Sequence, residues 1–192
     1  MMETETLTPE ERRQLLQLAR RSIEMAVCSK ASVQLELETL PTALREHGVC
    51  FVTLTLPGGE LRGCIGGLEA VQPLAVDVCQ HAAAAALDDY RFMPVVPEEL
   101  PLIQIEISRL TRPQPLEYEH PEDLPNLLHP HVDGVVLRDG LRRATFLPQV
   151  WEKIPDPSAF LSHLCQKMGA ASDLWRRRKL QVEIYHVEEF HE

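Results

Sequence analysis

The sequence has no paired cysteines. Its five, Cys28, Cys50, Cys64, Cys79 and Cys165, are odd in number, widely scattered and nowhere spaced Cys-x-x-Cys. That excludes a zinc ribbon and a thioredoxin-type motif, and it points to free thiols in a reducing compartment, the cytoplasm. No cysteine cluster suited to an iron–sulfur centre is present, so this chain is not itself a radical enzyme. Basic residues are also scarce: 19 Lys and Arg stand against 29 Asp and Glu, a formal net charge of −10. Nucleic acids and anionic membranes attract proteins through an excess of Lys and Arg, so neither is an expected partner. The one basic run, Arg176 to Lys179, is short and reads as a solvated helix end. Long apolar runs are missing too. The alanine-rich stretch ending at Leu87 is far too short to span a bilayer, and the opening MMETETLTPEERRQ is polar and acidic, with no apolar signal core. The eight histidines form no His-x-x-x-His or His-Glu-x-x-His pattern. His129 and His131 would need carboxylates from elsewhere to bind an ion, and no metal site is expected.

What is present fits one globular domain. The 192 residues are 44% hydrophobic, enough to bury a core. Thr8-Pro9-Glu10-Glu11 forms a capping box with proline at the first helical position, and apolar residues follow at helical spacing to about Val27. A short second helix is expected over Pro41 to His47, closed by Gly48. Val49 to Leu56 reads as a strand and Leu61 to Ile65 as its return across a Pro-Gly-Gly-Glu turn. Pro73 opens a helix to about Asp88. Leu102 to Leu110 alternates isoleucine with polar residues and predicts a strand with one wet face. Residues 111–131 are irregular, with a short helix near Glu122 to Leu128, and they mark the expected boundary between a larger and a smaller subdomain. A hairpin follows around Asp139-Gly140, then helices from Pro148 and Pro157, and the stretch from Leu180 to Val187 closes as one strand. Helices interleaved with hairpins define an α+β class with a mainly antiparallel sheet and flanking helices.

The stretch Leu-Arg-Gly-Cys-Ile-Gly-Gly, Leu61 to Gly67, is where chemistry is sought. A hairpin turning about Gly58-Gly59 sets Leu56 opposite Leu61, Thr55 opposite Arg62, Leu54 opposite Gly63, Thr53 opposite Cys64 and Val52 opposite Ile65. Thr53, Thr55, Arg62 and Cys64 then share the more polar face, whereas a bulge would move the cysteine to the apolar one. A guanidinium beside a thiol favours the reactive thiolate, so Arg62 is paired here with Cys64 as a candidate catalytic couple. Gly63, Gly66 and Gly67 allow close backbone approach and leave amides for an anion. The other reading is structural: free cysteine is among the most buried residue types, and glycine in a strand marks a bulge or bend. Asp89 and Arg91, after the alanine-rich helix, either orient a ligand anion or pair with each other to fix the loop. Thr145 is expected to cap the helix that begins at Pro148. His81 and His163 are candidate bases, but nothing in the sequence places either near Cys64.

The segment Glu60 to Glu69 resembles the signature of the AMMECR domain family, named for a human AMME-syndrome candidate gene and called AmmeMemoRadiSam system protein A in prokaryotes. The likeness continues in order through PLAVDVCQHAAAAALDDYRF, PEELPLIQIEIS, DGVVLRDGLRRATFLPQVWE, FLSHLCQKMG and VEIYHVEEF, from about Ala26 onward. Departures are small: DDYRF replaces a common Asp-Pro-Arg-Phe, and the segment His120 to Pro130 looks variable. The resemblance implies two closely packed subdomains around a cleft that holds a small-molecule ligand, with Arg62 to Gly66 as the functional region. It also implies a pathway shared with a MEMO-like protein and a radical S-adenosylmethionine protein. It names no cofactor and no established activity. Two functions remain open: a nucleophile or covalent attachment point at Cys64, or a non-enzymatic module that recognises a protein or small ligand through the glycine-rich bend, with Thr53, Gly63, Gly66, Gly67, Asp89 and Arg91 as binding residues.

Overall fold

The computed structural model describes residues 6–192, so the reading of the first five residues lies outside it. The chain divides into two compact units, one formed by residues up to Leu110 with Glu188–Glu192 and the other by Thr111–Val187. No described helix is long and apolar enough to cross a membrane. The α+β class holds: helices flank antiparallel sheets in both units.

In the first unit, α1 (Pro9–Ser29) starts as its capping box predicts. The Thr8 side chain accepts the Glu11 amide, and the Glu11 carboxylate accepts the Thr8 amide at 2.8 Å. The short α2 covers only Thr42–Arg45, because His47 and Gly48 go instead to β1 (His47–Thr55) and pair there with β3 (Gln72–Pro73). Strand pairing wins over helix closure by Gly48. β1 runs antiparallel to β2 (Leu61–Gly66) on one side and to β4 (Gln104–Leu110) on the other, and β9 (Val187–His191) completes the order β2-β1-β4-β9. Helix α3 (Leu74–Leu87) packs on β1, β2 and α1. Its small alanines bring its backbone close to the sheet, and the core gathers Leu15, Ile23, Val52, Leu54, Leu74, Val78, Ile105 and Ile107, all essentially solvent-free.

The second unit holds the sheet β5-β8-β6-β7, formed by β5 (Gln114–Pro115), β6 (Gly134–Asp139), β7 (Arg142–Phe146) and β8 (Gln181–Tyr185). The β6–β7 hairpin turns at Asp139-Gly140 with Gly140 at φ +60°, as the Asp-Gly pair predicts. The irregular stretch contains α4 (Leu124–Leu127), and α5 (Pro157–Lys167) is capped by Asp156, whose carboxylate accepts the Ala159 amide at 2.7 Å. The core is aromatic at its centre: Trp151 stacks on Phe160 with centroids 3.6 Å apart. The basic run ends α6 (Leu174–Arg177). Arg177 pairs with Asp173 and Arg178 with Asp139, while Arg176 lies over the Trp175 ring.

Two local expectations are corrected. The closing strand is not one element: His186 is tied on both sides to Thr111, through amide to hydroxyl at 2.8 Å and Thr111 amide to carbonyl at 2.9 Å, and the break puts β8 and β9 in different sheets. Thr145 does not cap a helix. It lies buried in β7 with its hydroxyl 3.1 Å from that of Tyr185, and Leu147 occupies the cap position of the turn at Pro148–Glu152.

Candidate functional site

The hairpin fixes where Cys64 stands. Val52 pairs with Ile65, Thr53 with Cys64 and Leu54 with Gly63, the register the symmetric turn predicts. Nearer the turn the register shifts: Thr55 pairs with Leu61, and Arg62 is passed over as a bulge. The bulge lies beyond Cys64 and leaves it, half-buried, on the expected face opposite Thr53, whose hydroxyl donates to its sulfur at 3.3 Å.

Arg62 is not the cation of this site. Its guanidinium clasps Glu99 with two parallel bonds of 2.7 and 2.9 Å, and Glu99 in turn accepts the Val96 amide at 2.9 Å. The Arg62 hydrogen bond holds the Glu99 carboxyl below its ordinary value in spite of burial. A guanidinium does reach the cysteine from elsewhere. Arg91 donates to the Cys64 carbonyl oxygen at 3.3 Å and forks onto Asp89 through Nε at 2.9 Å and Nη2 at 2.7 Å. Asp89 is almost fully buried and also accepts the amides of Cys64 at 2.8 Å and Arg91 at 3.1 Å. The fork from Arg91, opposed by desolvation and helped by those amides, holds the Asp89 carboxyl far below its usual range. Arg91 rises correspondingly, chiefly through its hydrogen bonds to Asp89. Asp89 and Arg91 therefore pair with each other and at the same time hold the cysteine backbone.

The glycines of the motif serve packing. None has the left-handed backbone that only glycine adopts freely; within the hairpin that belongs to Gly58 and Gly59 in the turn. A side chain at Gly63 would meet the Ala85 carbonyl oxygen of α3 at 2.1 Å, and one at Gly66 would meet the Phe51 ring at 2.4 Å. At Gly67 it would press on Val49 at 3.2 Å and approach His81 at 3.5 Å. The Cys64 amide goes to Asp89 and the Gly67 amide to the Cys50 carbonyl at 3.1 Å, so neither is left for an anion.

The other candidates fall elsewhere. His163 is exposed on α5. His129 meets Asp133 at 3.2 Å, and the opposite oxygen of that buried carboxylate meets His186 at 3.1 Å, a partner the sequence does not disclose. His81 sits 3.1 Å from Asp77 and 3.9 Å from the sulfur of Cys50. Asp77 also accepts the Cys50 amide at 2.9 Å and the Gln72 side chain at 3.0 Å. Burial pushes the Asp77 carboxyl up, but the bonds from His81, Gln72 and the Cys50 amide outweigh it and hold it low. Burial, with Asp77 alongside, pushes the Cys50 thiol well up. The signal for this second cluster was Asp-x-x-x-His on α3, which places both side chains on one helix face; the strand cysteine that meets them is 27 residues away in sequence from Asp77.

With this geometry in hand, comparisons locate the chain among known proteins. The AMMECR1 family model matches residues 16–190. A protein of Methanothermobacter thermautotrophicus is 39% identical over 97% of this chain and 96% of its own length. One from Thermofilum pendens is 38% identical over 96% and 91%. Among solved structures, the uncharacterized protein PH0010 from Pyrococcus horikoshii is 32% identical, covers 97% of this chain and 93% of its own, and superposes with a TM-score of 0.74.

Proposed function

The chain belongs to the AMMECR1 family, and from that premise we propose that it is a cytoplasmic thiol protein in which Cys64 is the nucleophile or transient attachment point for a small anionic ligand. The observation that carries this reading is the placement of the sulfur: half-buried rather than sealed, with the Thr53 hydroxyl donating to it at 3.3 Å and Arg91 bound to its own carbonyl. A donor aimed at sulfur is what a thiolate accepts, and the Arg91 guanidinium, ion-paired with Asp89, is held at the backbone of the same cysteine. Arg91 takes the role first given to Arg62, and its side chain, 44% exposed, keeps an open edge for a carboxylate or phosphate. In the covalent step Cys64 releases its proton to solvent, its sulfur bonds to an electrophilic carbon, and the group leaving that carbon departs with the bonding pair. Work alongside a MEMO-like protein and a radical S-adenosylmethionine protein is part of the same proposal, with this chain as the carrier or acceptor.

Timed iodoacetamide labelling at neutral pH, mapped by mass spectrometry, tests it. Cys28 is exposed, whereas Cys50, Cys79 and Cys165 are buried. Cys64 is expected to react faster than Cys28 although less of it meets solvent, and Arg91→Gln is expected to slow Cys64 while Arg62→Gln leaves it unchanged. If Cys64 labels more slowly than Cys28 in the folded protein, the nucleophile reading fails.

A further inference from the structure

From the convergence of Cys50, Asp77 and His81 we infer that the sheet and α3 build a second, independent site: a three-donor set for one thiophilic divalent cation of the zinc class. The three side chains each offer one ligand atom, and all three atoms lie within 4.8 Å of one another. Two separations are close to what a metal imposes. Tetrahedral bonds of about 2.0 Å to nitrogen and oxygen and about 2.3 Å to sulfur put neighbouring donors about 3.3 Å apart for N and O and about 3.6 Å apart for S and N. Here His81 Nδ1 lies 3.1 Å from Asp77 Oδ2 and 3.9 Å from Cys50 Sγ. Both separations lie within a few tenths of an ångström of those ideals.

The supporting shell is already in place. Asp77 and His81 are one turn apart on α3, so the helix holds them on one face. The Asp77 carboxylate is oriented by the Cys50 amide at 2.9 Å and, through its other oxygen, by Gln72 at 3.0 Å. Gln72 is fixed in turn by Gln80 at 2.9 Å. Such outer partners hold ligands at a set angle and tune their affinity. The donor set chooses the ion: a thiolate with an imidazole and one carboxylate suits zinc or cobalt and repels the hard cations magnesium and calcium. On binding, the Cys50 thiol gives up its proton to solvent, and the imidazole ligates through Nδ1 with its single proton on Nε2. Three protein donors leave the fourth tetrahedral position to a water or a ligand atom.

The test is a cobalt(II) titration of the reduced, chelator-treated full chain, read by absorbance. One equivalent is expected to bring in a thiolate-to-cobalt charge-transfer band with tetrahedral visible bands, and zinc is expected to abolish both. His81→Ala, a half-buried position that leaves the core intact, and Cys50→Ser are both expected to lose the charge-transfer band. Cys64→Ser is expected to keep it, which separates this site from the proposed thiol site. Gln72→Ala is expected to weaken cobalt binding about tenfold. No band in the folded wild type overturns the inference. So does a band that survives in His81→Ala, or one that disappears in Cys64→Ser.

Discussion

Asp77, in the first turn of α3, and Asp89, just past its last, treat two cysteines alike. Each is a nearly solvent-free carboxylate that accepts the amide of a cysteine on the neighbouring hairpin, Cys50 on β1 at 2.9 Å and Cys64 on β2 at 2.8 Å. They differ in what completes the carboxylate. Asp89 is closed by the planar fork of Arg91, a permanent cation two residues away, and its cysteine keeps a half-open sulfur. Asp77 is closed by an imidazole and a neutral amide, and its cysteine is sealed. One anchoring device thus seats both strands, and the neighbours decide whether the thiol beside it meets solvent or a buried carboxylate and imidazole.

The largest expected effect comes from unseating one end and sparing the other. Each end of α3 rests on a glycine: Gly63 against the Ala85 carbonyl oxygen and Gly48 against the Leu74 side chain. An added methyl at Gly63 would stand 2.1 Å from a backbone oxygen, whereas at Gly48 it would meet the Leu74 Cβ at 2.9 Å, a much shallower overlap. Gly63→Ala is therefore expected to cost about 3 kcal/mol and Gly48→Ala about 1 kcal/mol in urea unfolding. Equal costs would mean that the hairpin is not held down chiefly at the Asp89 end.

Acid sharpens the comparison. The Asp89 carboxyl is lowered in the folded protein, so its contribution is complete above the unfolded value near 4 and fades as the pH falls below it toward the folded value. Asp89→Asn, which removes two charge-assisted bonds from Arg91 and weakens the Cys64 amide bond, is expected to cost about 2 kcal/mol at pH 6. That gap should narrow steadily once the pH drops below about 4, since the wild type then begins to lose what the variant already lacks. Urea midpoints taken at pH 6, 4 and 3 measure it. A gap that stays constant would show that the geometry of the side chain matters and its charge does not.

Much of this was readable from the residues, and the gaps have physical causes. The capping box at Thr8, the Asp-Gly turn and the facing of Thr53 and Cys64 depend on neighbours in sequence or on a symmetric hairpin, so local chemistry determines them. The bulge at Arg62 is not local in that sense. It occurs where Arg62 pairs with Glu99, 37 residues on, and that pairing takes the expected cation off the site. Arg91 was recognised as a candidate, but its bond to the Cys64 carbonyl depends on how α3 lies across the sheet. The role of Gly63 was legible as close approach, though not what approaches it. Cys50 gave no signal, because a cysteine in an apolar strand looks like core until the helix above it supplies Asp77 and His81.

The smallest expected effect tests the open end most finely. The Thr53 hydroxyl touches the Cys64 sulfur at 3.3 Å on the half-exposed face, where sulfur is a weak acceptor and water can replace the donor. Thr53→Val keeps the branched shape that suits the strand, so urea stability is expected to change by less than about 0.5 kcal/mol. If the hydroxyl serves the thiolate, the iodoacetamide rate at Cys64 should still fall about two- to threefold, the change that about 0.5 kcal/mol makes in a barrier. Cys50 provides the internal control: it lies sealed on β1, three residues before Thr53, and its labelling follows unfolding alone. A Cys64 rate unchanged by Thr53→Val would leave Arg91 as the only group acting on that sulfur. A rise at Cys50 would mean that the substitution had loosened the sheet, so that the Cys64 rate no longer reported the thiol alone.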